Sequence, residues 1–265
     1  MANPFVSRVG GVLSADIAVP ERAREVRFYA RVLGTGSPPL WREDLMNNLG
    51  LPIIGLGARN EGHTRLPLQW MPHIQVADVG ESVRRALELG GTELMHARGD
   101  DGRSHWAVLA DPSGAAFGLI PVVPPEMIPP LPTDDADAAN GRIGRIASIE
   151  LVVPDAAAAR DFYRQVVGWD AREVEARDGG ERYVDYAMLG GDGGPAASIR
   201  HARGPARGLP SVWLLHLLVG NLEESLRRAE EEGGRVLHAL LGDGGKPTYA
   251  VVQDPVGACV ALVPA

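Results

Sequence analysis

Apolar positions along this chain change period at regular intervals, and they do so twice. Leu13 to Val19 and Ile146 to Val153 are apolar, partly β-branched runs that predict strands. Each ends at a proline, Pro20 or Pro154. Helical spacing then begins: Ala23, Val26, Ala30 and Leu33 share one face of a helix over 21–33, and Ala158, Phe162 and Val166 share one over 155–167. Gly34 and Gly168 stop these helices. Short strand-like runs follow at Leu51–Leu56 in the first half, and at Tyr183–Met188 and Ala196–Arg200 in the second. New strands start at His73–Val76 and Leu214–Val219 and feed helices at Val79–Leu89 and Leu222–Glu231, each closed by Gly-Gly. His105–Leu109 with Ala115–Ile120, and Tyr249–Val252 with Ala258–Val263, end the halves. Between the strands of each last pair stands Asp-Pro-x-Gly. It is a turn signal because Pro presets φ at the second position and Gly permits positive φ later.

The two patterns are copies. Phe28-Tyr29 and Phe162-Tyr163 are 134 residues apart. Leu66-Pro67-x-x-Trp70-x-x-His73 and Leu209-Pro210-x-x-Trp213-x-x-His216 are 143 apart, as are Asp111-Pro112-x-Gly114 and Asp254-Pro255-x-Gly257. An internal duplication with one nine-residue insertion accounts for both offsets. Each half reads as two βαβββ units, four in all, giving an α+β chain. The expected domains are 1–120 and 143–265. The stretch 121–142 between them holds six prolines up to Pro132 and then Asp134-Asp135-Ala136-Asp137, an extended, poorly packing linker.

Composition narrows the function classes. Hydrophobic content of 45% with 23% charged residues is that of a globular protein. No apolar run reaches membrane-spanning length and no signal peptide is visible, so no membrane partner is expected. A net charge of −8, with arginines scattered among glutamates as in Arg84-Arg85 and Arg227-Arg228, argues against a nucleic-acid partner. Cys259 is the one cysteine, which fits a reducing cytoplasm; it lies in an apolar strand as inert core.

The order of elements, with Val19-Pro20-Glu21, Phe28-Tyr29, Leu33-Gly34, their counterparts Val153-Pro154-Asp155, Phe162-Tyr163, Val167-Gly168-Trp169, and the Asp-Pro-x-Gly turns, resembles the vicinal oxygen chelate superfamily: glyoxalases, extradiol dioxygenases, and bleomycin- and fosfomycin-resistance proteins. The second half, through His201-Ala202-Arg203-Gly204 and Leu209-Pro210-Ser211-Val212-Trp213, is similar to the glyoxalase-related branch of unknown substrate. The resemblance implies that paired units form a cavity, which holds a divalent metal in metal-dependent members. The ligand positions it implies are occupied here by Ser14, Met71 and Gly118 in the first half, and by Ser148, Leu214 and Ala261 in the second. None is a good metal ligand, so neither a metal nor another cofactor is expected.

Two residues beyond the first-strand positions are carboxylates, Asp16 and Glu150; two beyond the second-strand positions are imidazoles, His73 and His216. A shift of two keeps a strand residue on its face. Asp16 with His73, and Glu150 with His216, are therefore candidate proton-shuttling dyads. The alternative is a structural hydrogen-bonded pair. His201, which aligns with Ala58, either joins the second dyad or ends a strand at the surface. Trp70 and Trp213 stack on a flat ligand or fill the core. Trp106 and Tyr249 line the cavity or the core. His63, His96, His105 and His238 read as surface residues. If one cavity works, the second is favoured.

Three function classes stay open for a small organic ligand. They are a metal-independent isomerase or lyase, a drug- or metabolite-sequestering protein of the bleomycin-resistance type, and a metal-dependent glyoxalase or dioxygenase. A monomer or a homodimer suits each.

Overall fold

The computed structural model describes residues 7–35, 41–42, 54–127 and 143–265. Residues 51–53 of the expected strand at Leu51–Leu56, and 128–142 of the expected linker, lie outside them.

The first half contains β1 (Val12–Val19), α1 (Arg22–Leu33), β2 (Trp41–Arg42), β3 (Ile54–Ala58), β4 (Met71–Val76), α2 (Val79–Glu88), β5 (Thr92–Arg98), β6 (Ser104–Ala110) and β7 (Ala116–Pro121). The second contains β8 (Ile146–Val153), α3 (Ala156–Val167), β9 (Asp170–Asp178), β10 (Glu181–Leu189), β11 (Pro195–His201), β12 (Trp213–Val219), α4 (Leu222–Glu231), β13 (Arg235–Leu241), β14 (Pro247–Gln253) and β15 (Cys259–Pro264). Helix starts follow local chemistry. The side chains of Asp78, Asp155 and Asn221 cap α2, α3 and α4 by accepting from the amides three residues on. Gly34 and Gly168, at φ 70° and 73°, take the left-handed conformation that ends α1 and α3.

Each half is one mixed sheet. The orders are β2-β3-β1-β4-β7-β6-β5 and β9-β10-β11-β8-β12-β15-β14-β13. In both, the two unit-opening strands pair antiparallel at the centre: Asp16 faces Met71, and Glu150 faces Leu214. β5, β9 and β13, which the apolar pattern does not mark, are half-exposed edge strands; β5 and β9 are rich in charge, while β13 carries only Arg235 among mostly apolar residues. Only a strand buried on a face carries a period-2 apolar signal, and charged edges resist pairing with other chains.

The four α-helices of the described residues lie between the sheets, α1 against α4 and α2 against α3. One hydrophobic cluster runs through both halves, from Ile17, Phe28 and Trp70 to Phe162, Trp213 and Leu215. Inside it the duplication's landmarks meet crosswise. Trp70 Nε1 donates to Tyr29 Oη at 3.0 Å, and Tyr29 Oη donates to Asp254 Oδ2 of the other half at 2.7 Å. Trp213 Nε1 donates to Tyr163 Oη at 3.0 Å, and Tyr163 Oη donates to Asp111 Oδ2 at 3.0 Å. Both aspartates also accept from amides of their own turns, Ser113 and Ala115 in one case, Val256 and Ala258 in the other. Burial first, then these carboxylates, push both tyrosines well above the usual phenol range. Each half thus supplies a Trp-Tyr pair to the other half's Asp-Pro turn. A further crossing joins Trp169 Nε1 to the Gly10 carbonyl at 2.6 Å. A Cβ on Gly10 would stand 2.7 Å from the Trp169 ring, so only glycine admits this approach.

One interface group breaks the symmetry. Glu25 of α1 is fully buried, and neither carboxyl oxygen has an aligned hydrogen-bond partner. Its counterpart 134 residues on is Ala159, which lines an open groove of about 270 Å³ beside Asp111.

Candidate functional site

The helix-free face of each sheet curls around a small apolar cluster. In the first domain this is Ala18, Leu66, Met71, Val108 and Ala116; in the second it is Val152, Ala206, Leu214, Val251, Cys259 and Ala261. Strand parity places the polar candidates on this face: Ala15 and Ile17 enter the interface core, while Ser14, Asp16 and Ala18 turn the other way.

In the first domain the dyad forms. His73 Nε2 lies 3.2 Å from Asp16 Oδ2, a close approach without good hydrogen-bond alignment. His73 Nδ1 lies 2.8 Å from Ser14 Oγ. All three residues are buried. The tautomer that serves every contact carries the proton on Nε2, facing Asp16, and accepts the Ser14 hydroxyl proton at Nδ1. Asp16 also lines a pocket of about 120 Å³ whose other walls include Leu66, Met71, Met95 and Val108. Trp106 and His63 complete it, His63 from the short helical turn Glu61–His63.

The second domain is arranged differently. Glu150 accepts from Arg200 Nη1 at 3.2 Å, from Tyr249 Oη at 3.4 Å, and from Ser198 Oγ at 3.5 Å. Burial opposes the charge of Arg200, but Glu150 and Asp185 outweigh it and hold the guanidinium pKa above its ordinary value. The His216 ring packs edge-on to Tyr249, with centroids 5.4 Å apart. Its Nε2 is buried without a hydrogen-bond partner, and no direct bond joins it to Glu150. Burial pushes His216 below its ordinary range, against the pull of Glu150 and with the push of Arg200, so it stays neutral at pH 7. Tyr249 is raised by burial and by Glu150. Burial pushes the Cys259 thiol up to about 11, which keeps it unreactive.

Parity and burial decide between the alternatives left open for His201 and for the two tryptophans, and correct the surface reading of His238. His201 pairs with Val153, which belongs to the interface core, and its Nδ1 lies 3.2 Å from Asp185 Oδ1; Arg200, its neighbour, turns to Glu150 instead. Trp70 and Trp213 are fully buried on the helix side, so they serve the interface and do not line a cavity. His238 is not a plain surface residue: it pairs with Val251 on the curled face, and its Nε2 is buried without a partner. Arg200 and Asp185 were missed because charged residues inside a strand read as solvent-facing.

Side-chain identity argues against a metal. Ser14 pairs with His73 across the ladder, and His73 pairs with Gly118, so the structural row is Ser14, His73, Gly118 rather than one through Met71. In the second domain the row is Ser148, His216, Ala261. Each row offers one imidazole. Among the described residues no three His, Cys, Asp or Glu side chains converge on a metal-sized space. The donor set therefore does not fit a tightly held divalent ion. Elemental analysis of the purified protein should find no stoichiometric Zn, Fe, Mn, Ni or Mg; one ion per domain with Asp16 or Glu150 as ligand would refute this.

Among the described residues no helix is long and apolar enough to cross a membrane. Known proteins resemble the chain over both halves. The model of the Glyoxalase/Bleomycin resistance protein/Dioxygenase superfamily matches residues 145–262, and that of a glyoxalase-like domain matches residues 14–120. The anthracycline biosynthesis protein DnrV of Streptomyces peucetius is 30% identical over 207 residues, spanning 78% of this chain and 69% of that protein. A putative glyoxylase, CFP32, of Mycobacterium tuberculosis is 28% identical over 116 residues, 43% of each chain. In fold, homoprotocatechuate 2,3-dioxygenase from Arthrobacter globiformis superposes with a TM-score of 0.55 at 15% identity, covering 98% of this chain and 80% of that one. With a matching model on each half and the same curled-sheet architecture in both, the chain belongs to the glyoxalase, bleomycin-resistance and dioxygenase superfamily as two tandem domains.

Proposed function

We propose that the first domain binds a small, largely apolar organic molecule and exchanges a proton with it through Asp16, without a metal. The supporting observation is the placement of Asp16: a buried carboxylate on the wall of an apolar pocket of about 120 Å³, backed at 3.2 Å by His73. A cavity near 150 Å³ admits a benzene-sized molecule, so a ligand of about one ring, or one ring of a larger ligand, suits the space.

Asp16 removes a proton from a carbon beside a carbonyl or from a ring hydroxyl. His73 presents Nε2–H to the carboxylate and keeps it oriented while the proton moves. Ser14, sealed from solvent, fixes the imidazole. The reaction class is isomerisation, elimination or hydration. The likeness to proteins named for anthracycline biosynthesis supports a ring-bearing organic substrate. Glu150, by contrast, is held by Arg200, Tyr249 and Ser198, and Ala206, Leu209 and Val212 pack into the second curled face. That arrangement favours the first cavity over the second for catalysis, and suits binding without turnover in the second. The proposed setting is the cytoplasm, with the protein a monomer or homodimer.

Proton abstraction can be read without knowing the full reaction. In D₂O, the protein should exchange the α-protons of 2-cyclohexenone faster than buffer does, followed by NMR. Asp16→Asn should slow this by about 10²–10⁴-fold with little change in affinity. His73→Gln should fall between. An Asp16→Asn protein that exchanges like wild type would sink the reading and leave sequestration as the function.

A further inference from the structure

The helix-covered side of the first domain carries a polar group that the Asp16 pocket does not use. Glu93 and His96 lie in β5, and Ser104 opens β6. His96 pairs with Ala107, a residue of the interface core, so it faces away from the curled cavity. Glu93 Oε2 lies 2.9 Å from His96 Nδ1, and His96 Nε2 lies 2.8 Å from Ser104 Oγ. The carboxylate contact places the imidazole proton on Nδ1. The Nε2 lone pair then accepts the Ser104 hydroxyl proton.

This is the connection order that activates a serine: acid to Nδ1, hydroxyl to Nε2. The buried Ser14 has the reverse order and no access. Here the imidazole is 6% exposed and Glu93 35%, and Ser104 is half-buried at a strand end, so a reagent can reach the hydroxyl. Arg98 Nη2 lies 3.3 Å from the same Nδ1. That contact is longer than the Glu93 contact, and Arg98 cannot donate to a nitrogen that already bears a proton, so it stands as a positive charge at the rim.

The surroundings add a second element. A Cβ on Gly80 would stand 3.1 Å from Ser104 Oγ and 3.4 Å from Asp78 Oδ1, so the glycine brings the hydroxyl against the first turn of α2. Asp78 is turned to cap the Glu81 amide at 2.9 Å. The amides of Val79 and Gly80 precede the first intrahelical hydrogen bond of this ten-residue helix, and the helix end is partially positive.

We propose that Ser104, His96 and Glu93 form a nucleophilic centre that takes an acyl group from small esters. Ser104 Oγ bonds to the ester carbonyl carbon while its proton passes to His96 Nε2. The carbon–oxygen bond to the alcohol then breaks, and the alcohol leaves with the proton from His96. Water, giving a proton to His96, cleaves the acyl-serine; the acid departs and Ser104 regains its proton.

The test uses p-nitrophenyl acetate and a fluorophosphonate on the full-length chain. One acetyl or phosphonyl group should add per chain, on the peptide containing Ser104, by mass spectrometry. Ser104→Ala should remove the label, and His96→Gln and Glu93→Gln should slow it at least tenfold. Label on another residue, or wild-type labelling of Ser104→Ala, would overturn the proposal. Ser104→Cys supplies an independent check should the alanine variant misfold. Its thiol should react with iodoacetamide at pH 7 much faster than Cys259, and adding His96→Gln should abolish the difference; equal rates in both backgrounds would also overturn it. Because this centre and Asp16 lie on opposite faces of the sheet, ring-proton exchange at Asp16 can fail while Ser104 labels, and the reverse.

Discussion

Replacing Glu25 with glutamine should stabilise the protein at pH 8 and above and flatten its dependence on pH. Burial first, and then the neighbouring Asp254, raise this carboxyl from an ordinary 4.5 to about 8, with Arg24 opposing and Glu21 adding. Asp254 is raised as well, by burial. In the unfolded chain Glu25 ionises near 4.5, whereas in the fold it keeps its proton to about 8. Between those values the unfolded state binds fewer protons, so stability falls as pH rises. The contribution is complete below about 4.5 and gone above about 8. At roughly 1.4 kcal/mol per pKa unit, the span corresponds to about 4–5 kcal/mol as an upper figure. Urea unfolding from pH 5 to 9 checks it: the wild-type midpoint should fall across that window, and the Glu25→Gln midpoint should hardly move. Parallel curves would show that the slope has another source.

Fragments 1–125 and 140–265, expressed separately, should associate one to one when mixed, and aggregate when kept apart. Each exposes the helix side of its sheet, where Phe28, Trp70, Phe162 and Trp213 are now buried. Each also loses the partner of its Tyr-Asp contact, and a buried polar group left unpaired costs about 1–3 kcal/mol. Tyr29→Phe and Tyr163→Phe should each weaken reassociation by roughly 5- to 150-fold on that basis. Sedimentation of the mixed fragments gives the answer. Two stable monomers that ignore each other would rule out the shared core.

The duplication made the architecture readable. Landmarks 134 and 143 residues apart located both domains, and the strand-helix alternation gave the four units. The edges of the sheets escaped notice because β5 and β9 interleave charged residues with half-exposed ones, and β13, though largely apolar, has no alternation of polar and apolar positions. Parity reasoning from Ser14 to Asp16 identified the face of the first dyad. His201 was placed by its alignment with Ala58, which says nothing of the face it takes; the ladder pairs it with Val153 of the interface core, and its neighbour Arg200 turns to Glu150. Trp70 and Trp213 repeat for a reason the sequence does not disclose: their partners, Tyr29 and Tyr163, bond to aspartates more than fifty residues away, in the other half. A spacing pattern reports what is alike in two halves, not that they hold each other.

The crossed Trp-Tyr-Asp contacts have a consequence for divergence. A symmetric assembly of two identical chains changes both of its cavities with every mutation. Once the halves are joined in tandem and bolted together by matched pairs, each cavity is free to vary alone while the joint persists. The chain shows the outcome at matched positions: His63 stands at the mouth of one cavity where Ala206 packs into the other. Trp106 answers to Tyr249, and Met95 to His238. One fold has become two different rooms with a common wall.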